Sequence, residues 1–154
     1  MIVKNCLTQT DPRWGAVDMI NQILIRDSGC LLTSIVNILR DYSDELKAYT
    51  PLQLDSFLDK KNGYTRGGLI IWDVLEKFFK FKHQAYITPH AKPVFSNDKK
   101  KYWVVQIPYK ATGHFCNVIA DVGDEIIYFD VYDGKTKNIN IKDTISIREF
   151  TFGV

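Results

Sequence analysis

Apolar positions along the chain change period once, near residue 80. Ahead of that point Leu31, Leu32, Ile35, Val36, Ile38 and Leu39 recur at helical spacing behind Asp27, Ser28 and Gly29, residues that cap or start helices; this predicts a helix from Cys30 to about Asp41. Thr50 followed by Pro51 marks a second helix start, with Leu52, Leu54, Phe57 and Leu58 as its apolar face and Asn62-Gly63 stopping it near Lys61. Gly67-Gly68 precedes a third helical stretch over residues 70–79, where Ile71, Val74, Leu75 and Phe78 keep the spacing. Beyond it, residues 81–88, 102–108, 115–121, 125–131 and 145–152 are short runs rich in Val, Ile, Tyr and Phe, separated by Gly113, Gly123-Asp124 and Asp133-Gly134, and they read as strands. Helices followed by strands predict an α+β domain, a helical layer packed on a C-terminal antiparallel sheet, rather than alternating α/β. Upstream, residues 2–9 read as a short strand or extended arm, Pro12 and Gly15 mark a turn, and residues 17–26 read as a short helix or loop.

A chain of 154 residues without repeats or linkers predicts a single domain, residues 1–154, large enough to bury a core unaided. A net charge of +2 with scattered lysines announces no nucleic-acid surface. Three cysteines, Cys6, Cys30 and Cys116, with no Cys-x-x-Cys spacing argue against a disulfide framework or a structural zinc site. The N-terminus lacks the basic start and apolar run of a secretory signal, and no segment has the length of a membrane span. The expectation is a protein cytoplasmic on synthesis that needs release or carriage to act elsewhere.

Cys30 falls in the first turn of its predicted helix, where unpaired backbone N–H groups and the helix dipole favour a thiolate. The alternative is a packed thiol on an apolar helix. Of three histidines, His83 and His90 read as surface or structural residues, whereas His114 follows Thr112-Gly113 and opens a strand, a position from which a ring projects into a cleft. Asp130 closes an otherwise apolar strand, where a carboxylate is costly unless paired. On the neighbouring antiparallel strand it reaches the imidazole; the alternative makes Asp130 and Asp133 turn acids beside Gly134. Together Cys30, His114 and Asp130 are the residue types of nucleophilic catalysis: an attacking thiol, its base, and a group that orients the base. A cation held by the same three is disfavoured, because thiolate and carboxylate ligation is mixed and no short ligand spacing is seen. Trp14, Tyr64, Trp72 and Trp103 line a groove or, as the density of aromatic residues favours, the core. Cys116 reads as a packed strand residue.

Several motifs, in order, resemble one family. Gln9-Thr10-Asp11-Pro12-Arg13-Trp14, then Gly29-Cys30-Leu31-Leu32-Thr33-Ser34, Thr50-Pro51 with Leu54, Asn62-Gly63-Tyr64, Trp72 and Gly113-His114-Phe115 resemble the papain-like cysteine peptidases of the bacteriocin-processing, double-glycine-cleaving type. The match is to their small stand-alone branch from bacteria and phages and touches residues 9–134. One departure is Val131, where the family has proline after the aspartate. The resemblance implies a papain-like fold with Cys30 as nucleophile, His114 as general base and then acid, and Asp130 orienting His114. It also implies an oxyanion-hole glutamine: Gln9 is the motif match and Gln22 the competitor nearer the cysteine, with the Cys30 N–H as second donor. No metal or organic cofactor is implied. The expected substrate is a peptide or isopeptide amide in a peptide, protein or peptidoglycan, as for a cell-wall lysin of phage or bacterial origin, alone or within a larger assembly. The rival readings are a non-catalytic peptide- or cell-wall-binding domain on the same fold, and a transamidase.

Overall fold

The computed structural model describes Met1 and residues 5–153. Strands β1 (Asp18–Ile20) and β2 (Ile23–Leu24) form a hairpin, followed by the one-turn helix α1 (Ile25–Ser28) and helices α2 (Cys30–Tyr42), α3 (Pro51–Lys60) and α4 (Trp72–Phe79). Then come β3 (Phe81–Ile87), β4 (Lys101–Ile107), β5 (His114–Val122), β6 (Glu125–Phe129), β7 (Thr136–Asn140) and β8 (Ser146–Phe152). These six strands make one sheet in the order β3-β8-β4-β5-β6-β7, every neighbouring pair antiparallel. The chain is thus α+β, with N-terminal helices packed on a six-stranded antiparallel sheet. Among the described residues, no helix is long and apolar enough to cross a membrane.

Local chemistry accounts for the start of α3. Thr50 and Gln53 form a reciprocal capping box ahead of Pro51, the Gln53 N–H donating to Thr50 Oγ1 at 3.3 Å and the Thr50 N–H to Gln53 Oε1 at 2.9 Å. The sheet is buried on both faces, which is why its central strands read as nearly continuous apolar runs. Tyr102, Val104 and Phe150 face the helices with Leu32, Ile35, Val36 and Leu39, whereas Trp103, Val105, Cys116, Val118, Tyr128 and Ile147 form a second core on the opposite face.

The structure corrects several expectations. Residues 17–26 hold a hairpin rather than a loop or helix alone, turned by Asn21 and Gln22 with φ of 50° and 66°. No glycine marks that turn, so the usual hairpin signal is missing. Strand β7 was not expected either: Thr-Lys-Asn-Ile-Asn is polar because it lies at the sheet edge, and apolar periodicity cannot reveal such a strand. Asp130 stands one residue beyond β6 instead of closing it. Of the anticipated N-terminal arm, residues 2–4 lie outside the described residues, and residues 5–9 pair in no strand. Trp14 and Trp103 are buried, and Tyr64 and Trp72 pack partly buried against the first core; none of the four lines the principal cleft.

A polar seam joins α2 to β5 inside the apolar layer. Asn37 Nδ2 donates to Asn117 Oδ1 at 2.8 Å, Asn117 Nδ2 donates to the Ser34 carbonyl at 2.9 Å, and Asn37 Oδ1 accepts the Leu7 N–H at 2.7 Å. Both asparagines are buried, so each amide is satisfied by the other elements rather than by water. Asn117→Ala leaves the Asn37 amide and the Ser34 carbonyl short of a partner, and the expected loss of stability in urea unfolding is about 3 kcal/mol. An exposed control, Lys99→Ala, should stay within about 0.5 kcal/mol of the parent; equal losses in the two variants would remove the seam's structural role.

Candidate active site

Cys30 is the first residue of α2, and the N–H groups of that first turn have no partner within the helix. The preceding residue allows the close junction with α1: a Cβ on Gly29 would lie 2.5 Å from the Ile25 carbonyl oxygen and 2.8 Å from Ile25 Cγ2. Its φ of −87° is ordinary, so glycine is required there by space and not by backbone conformation. No acidic residue stands in the first turn to compete with an anion at the thiol.

His114 opens β5 and is buried beside the cleft floor. Its Nε2 lies 2.7 Å from Asp130 Oδ1. With the carboxylate ionised, Nε2 carries the proton and Nδ1 is left as the basic nitrogen. Burial opposes the imidazolium, but the sulfurs of Cys116 and Cys30, when ionised, and the Asp130 carboxylate favour it, and the net effect raises the His114 pKa. Register explains how Asp130 arrives: Asn117 pairs with Phe129, so one step further sets Asp130 across from Cys116 and diagonal to His114. The backbone then turns, with the Gly134 N–H donating to the Asp130 carbonyl at 2.8 Å.

Asp130 is held by more than the histidine. Oδ1 also accepts the Tyr132 N–H at 2.9 Å, and Oδ2 accepts Lys137 Nζ at 2.7 Å. Burial pushes the carboxyl up, yet Lys137, His114 and the Tyr132 N–H together bring it down to about 2. Lys137 bridges to Asp133 as well, at 2.8 Å, so Asp133 is a real partner of the site's outer ring rather than a plain turn acid.

Gln9 is brought to the same cleft by an N–H···O bond from its backbone to the Val131 carbonyl at 2.7 Å. Its Nε2 donates to the Arg26 carbonyl at 2.9 Å and more weakly to that of Ile25 at 3.5 Å; Oε1 is buried with no partner among the described residues. The second Nε2–H is therefore the weakly engaged one. Gln22 sits exposed in the β1–β2 turn and does not line the cleft.

The cleft, about 850 Å³, brings together Gln9, Cys30, His114 and Asp130. One wall is apolar: Ile20 and Ile23 from the hairpin, with Leu69 and Ile70, packed so closely that a Cβ on Gly68 would meet Ile20 Cγ2 at 3.2 Å. Tyr109 and Tyr132 form the other, each about half exposed. Sequence reasoning missed these two tyrosines, Lys137 and the proximity of Cys116 to His114. Only the last had a local signal: His114 and Cys116 are two apart on a strand and so share a face. His83 lies away from the cleft, stacked on Trp72 with ring centroids 3.7 Å apart, and burial lowers its pKa to about 4.

No protein-family model matches the chain, and no curated protein matches it.

The Asp130 environment sets an acid limit on stability. A carboxyl ordinarily near 3.9 and held at about 2 in the fold contributes stability that is complete above pH ~4 and is lost as pH falls toward 2. Lys137→Met removes the foremost of the hydrogen bonds that lower it. Acid unfolding followed by far-UV circular dichroism should move upward by ~0.5 pH unit; an unmoved midpoint would show that Lys137 does not hold the carboxylate.

Proposed function

We propose that the chain is a papain-like cysteine peptidase of the small stand-alone type within the bacteriocin-processing family, cleaving a peptide or isopeptide amide. The observation that carries this reading is the line from the Cys30 thiol, at a helix start on the cleft, through the His114 imidazole to the Asp130 carboxylate at 2.7 Å. In this reading His114 Nδ1 takes the Cys30 proton while Nε2–H stays on Asp130, which fixes both tautomer and ring orientation. The thiolate attacks the amide carbonyl, and the oxyanion is met by the Cys30 N–H and the second Nε2–H of Gln9. His114 then gives its proton to the leaving amine, and water, deprotonated by the same imidazole, hydrolyses the thioester. The cleft is open enough for a chain segment, which supports a peptide, protein or peptidoglycan cross-bridge as substrate.

The first test is alkylation by iodoacetamide at pH 6, read by peptide mass spectrometry. Cys6, whose thiol burial pushes up to about 11, and Cys116, also raised by burial, are internal controls. Cys30 should react at least about tenfold faster than either, and His114→Ala should abolish that advantage. A Cys30 no faster than Cys6, or one indifferent to His114→Ala, would overturn the peptidase reading.

A further inference from the structure

The buried thiol of Cys116 has no part in that chemistry, and its neighbours do not require sulfur. It packs among Val105, Val118 and Tyr128, where valine would serve. What distinguishes it is company. One ligand atom each from His114, Cys116 and Asp130, an imidazole nitrogen, the sulfur and a carboxylate oxygen, all lie within 4.8 Å of one another. In a tetrahedral site with Zn–S about 2.3 Å and Zn–N or Zn–O about 2.1 Å, neighbouring ligand atoms stand roughly 3.3 to 3.7 Å apart. Shifts of about 1 Å or less close such a site. Two of the ligands come from one strand face at i and i+2, and the third from the tight turn after β6, so the backbone already holds all three.

We propose that His114, Cys116 and Asp130 form a site for a thiophilic divalent cation of the zinc class. One thiolate, one imidazole and one carboxylate favour zinc over the hard cations magnesium and calcium, which prefer oxygen alone. The cation takes the place of the proton between His114 Nε2 and Asp130 Oδ1; that proton passes to Nδ1, so that a neutral imidazole binds the metal, and the Cys116 thiol proton leaves to solvent. Thiolate and carboxylate then balance its charge. Lys137 keeps Oδ2 and leaves Oδ1 for the metal. Entry is from the cleft, which His114 and Asp130 line, and the fourth position is left to water. Occupation removes the orienting hydrogen bond from His114, so the cation inhibits. That effect on activity rests on the peptidase reading; binding does not.

Cobalt(II) separates the two. In Cys6→Ala/Cys30→Ala the remaining thiol is Cys116, and no nucleophile is present. Titration with cobalt should give sulfur-to-cobalt charge-transfer absorption in the near ultraviolet and tetrahedral d–d bands at one equivalent. Cys116→Val and Cys116→Ser, each checked for folding by circular dichroism, should show neither. With Cys30 intact, the zinc concentration that halves iodoacetamide labelling of Cys30 should rise at least tenfold in Cys116→Val. Absence of the charge-transfer band in Cys6→Ala/Cys30→Ala, or its persistence in both folded Cys116 variants, overturns the site. An unreactive Cys30 beside an intact cobalt spectrum would instead overturn the peptidase reading and leave the cation site standing.

Discussion

The buried hydrogen bond between Asn37 and Asn117 sets the distance scale of the cleft. Asn37 stands seven residues into α2 from Cys30, about 10 Å along a helix axis. Asn117 stands three residues into β5 from His114, again about 10 Å along a strand. Two elements pinned at equal depths bring their first residues to the same level, and those are the thiol and the imidazole. Asn37 also takes the Leu7 N–H and donates to the Leu7 carbonyl at 3.2 Å, which anchors the irregular segment two residues before Gln9. One side-chain amide therefore fixes three separate pieces of the cleft. A purely apolar interface would bind α2 to the sheet as tightly but would not specify the register.

The far side of His114 is stiffened electrostatically. Burying a carboxylate is unfavourable, and Asp130 remains ionised because every face is answered: the imidazole and a backbone N–H on one oxygen, an ammonium on the other. Lys137 reaches it from β7, a strand otherwise polar and at the sheet edge. An edge strand supplies what a central one cannot, a long aliphatic stem whose ammonium group pairs inward with Asp130 while the side chain stays partly in water. The same lysine spans Asp133, so the turn after β6 and the edge strand are tied at one point.

Legibility in the sequence followed locality. The α2 start at Cys30 was readable from the helical repeat that follows it, although Asp27 and Ser28, expected as cap residues, lie in α1 and no side chain caps α2. The α+β order was readable because the period of the apolar pattern changes once. His114 and Asp130 were readable as chemically unusual residues at strand ends, and Gln9 through a motif. Whatever depended on contact across the sheet was not. Lys137 lies in a strand whose polarity hides it, Tyr109 and Tyr132 sit in loops without periodicity, and the β1–β2 hairpin turns on Asn21 and Gln22 with no glycine to mark it. The nearness of Cys116 to His114 was available from strand alternation alone, but an apolar neighbourhood makes a cysteine look like packing.

Two thiols flank one imidazole, and residue type cannot say which one attacks. Environment separates them. Cys116 is wholly enclosed by the second core, and burial raises its pKa despite the facing imidazole, so it stays a neutral thiol that no carbonyl can approach. Cys30 is partly exposed at the cleft and stands where helix N–H groups also point, so in the proposed reaction the attacking atom and the donors that would receive the oxyanion share one turn of backbone. Only access and donor geometry together, not proximity to the base, make Cys30 the nucleophile in this reading. By the same logic Cys116 suits a ligand that, unlike a polypeptide, is small enough to pass between His114 and Asp130.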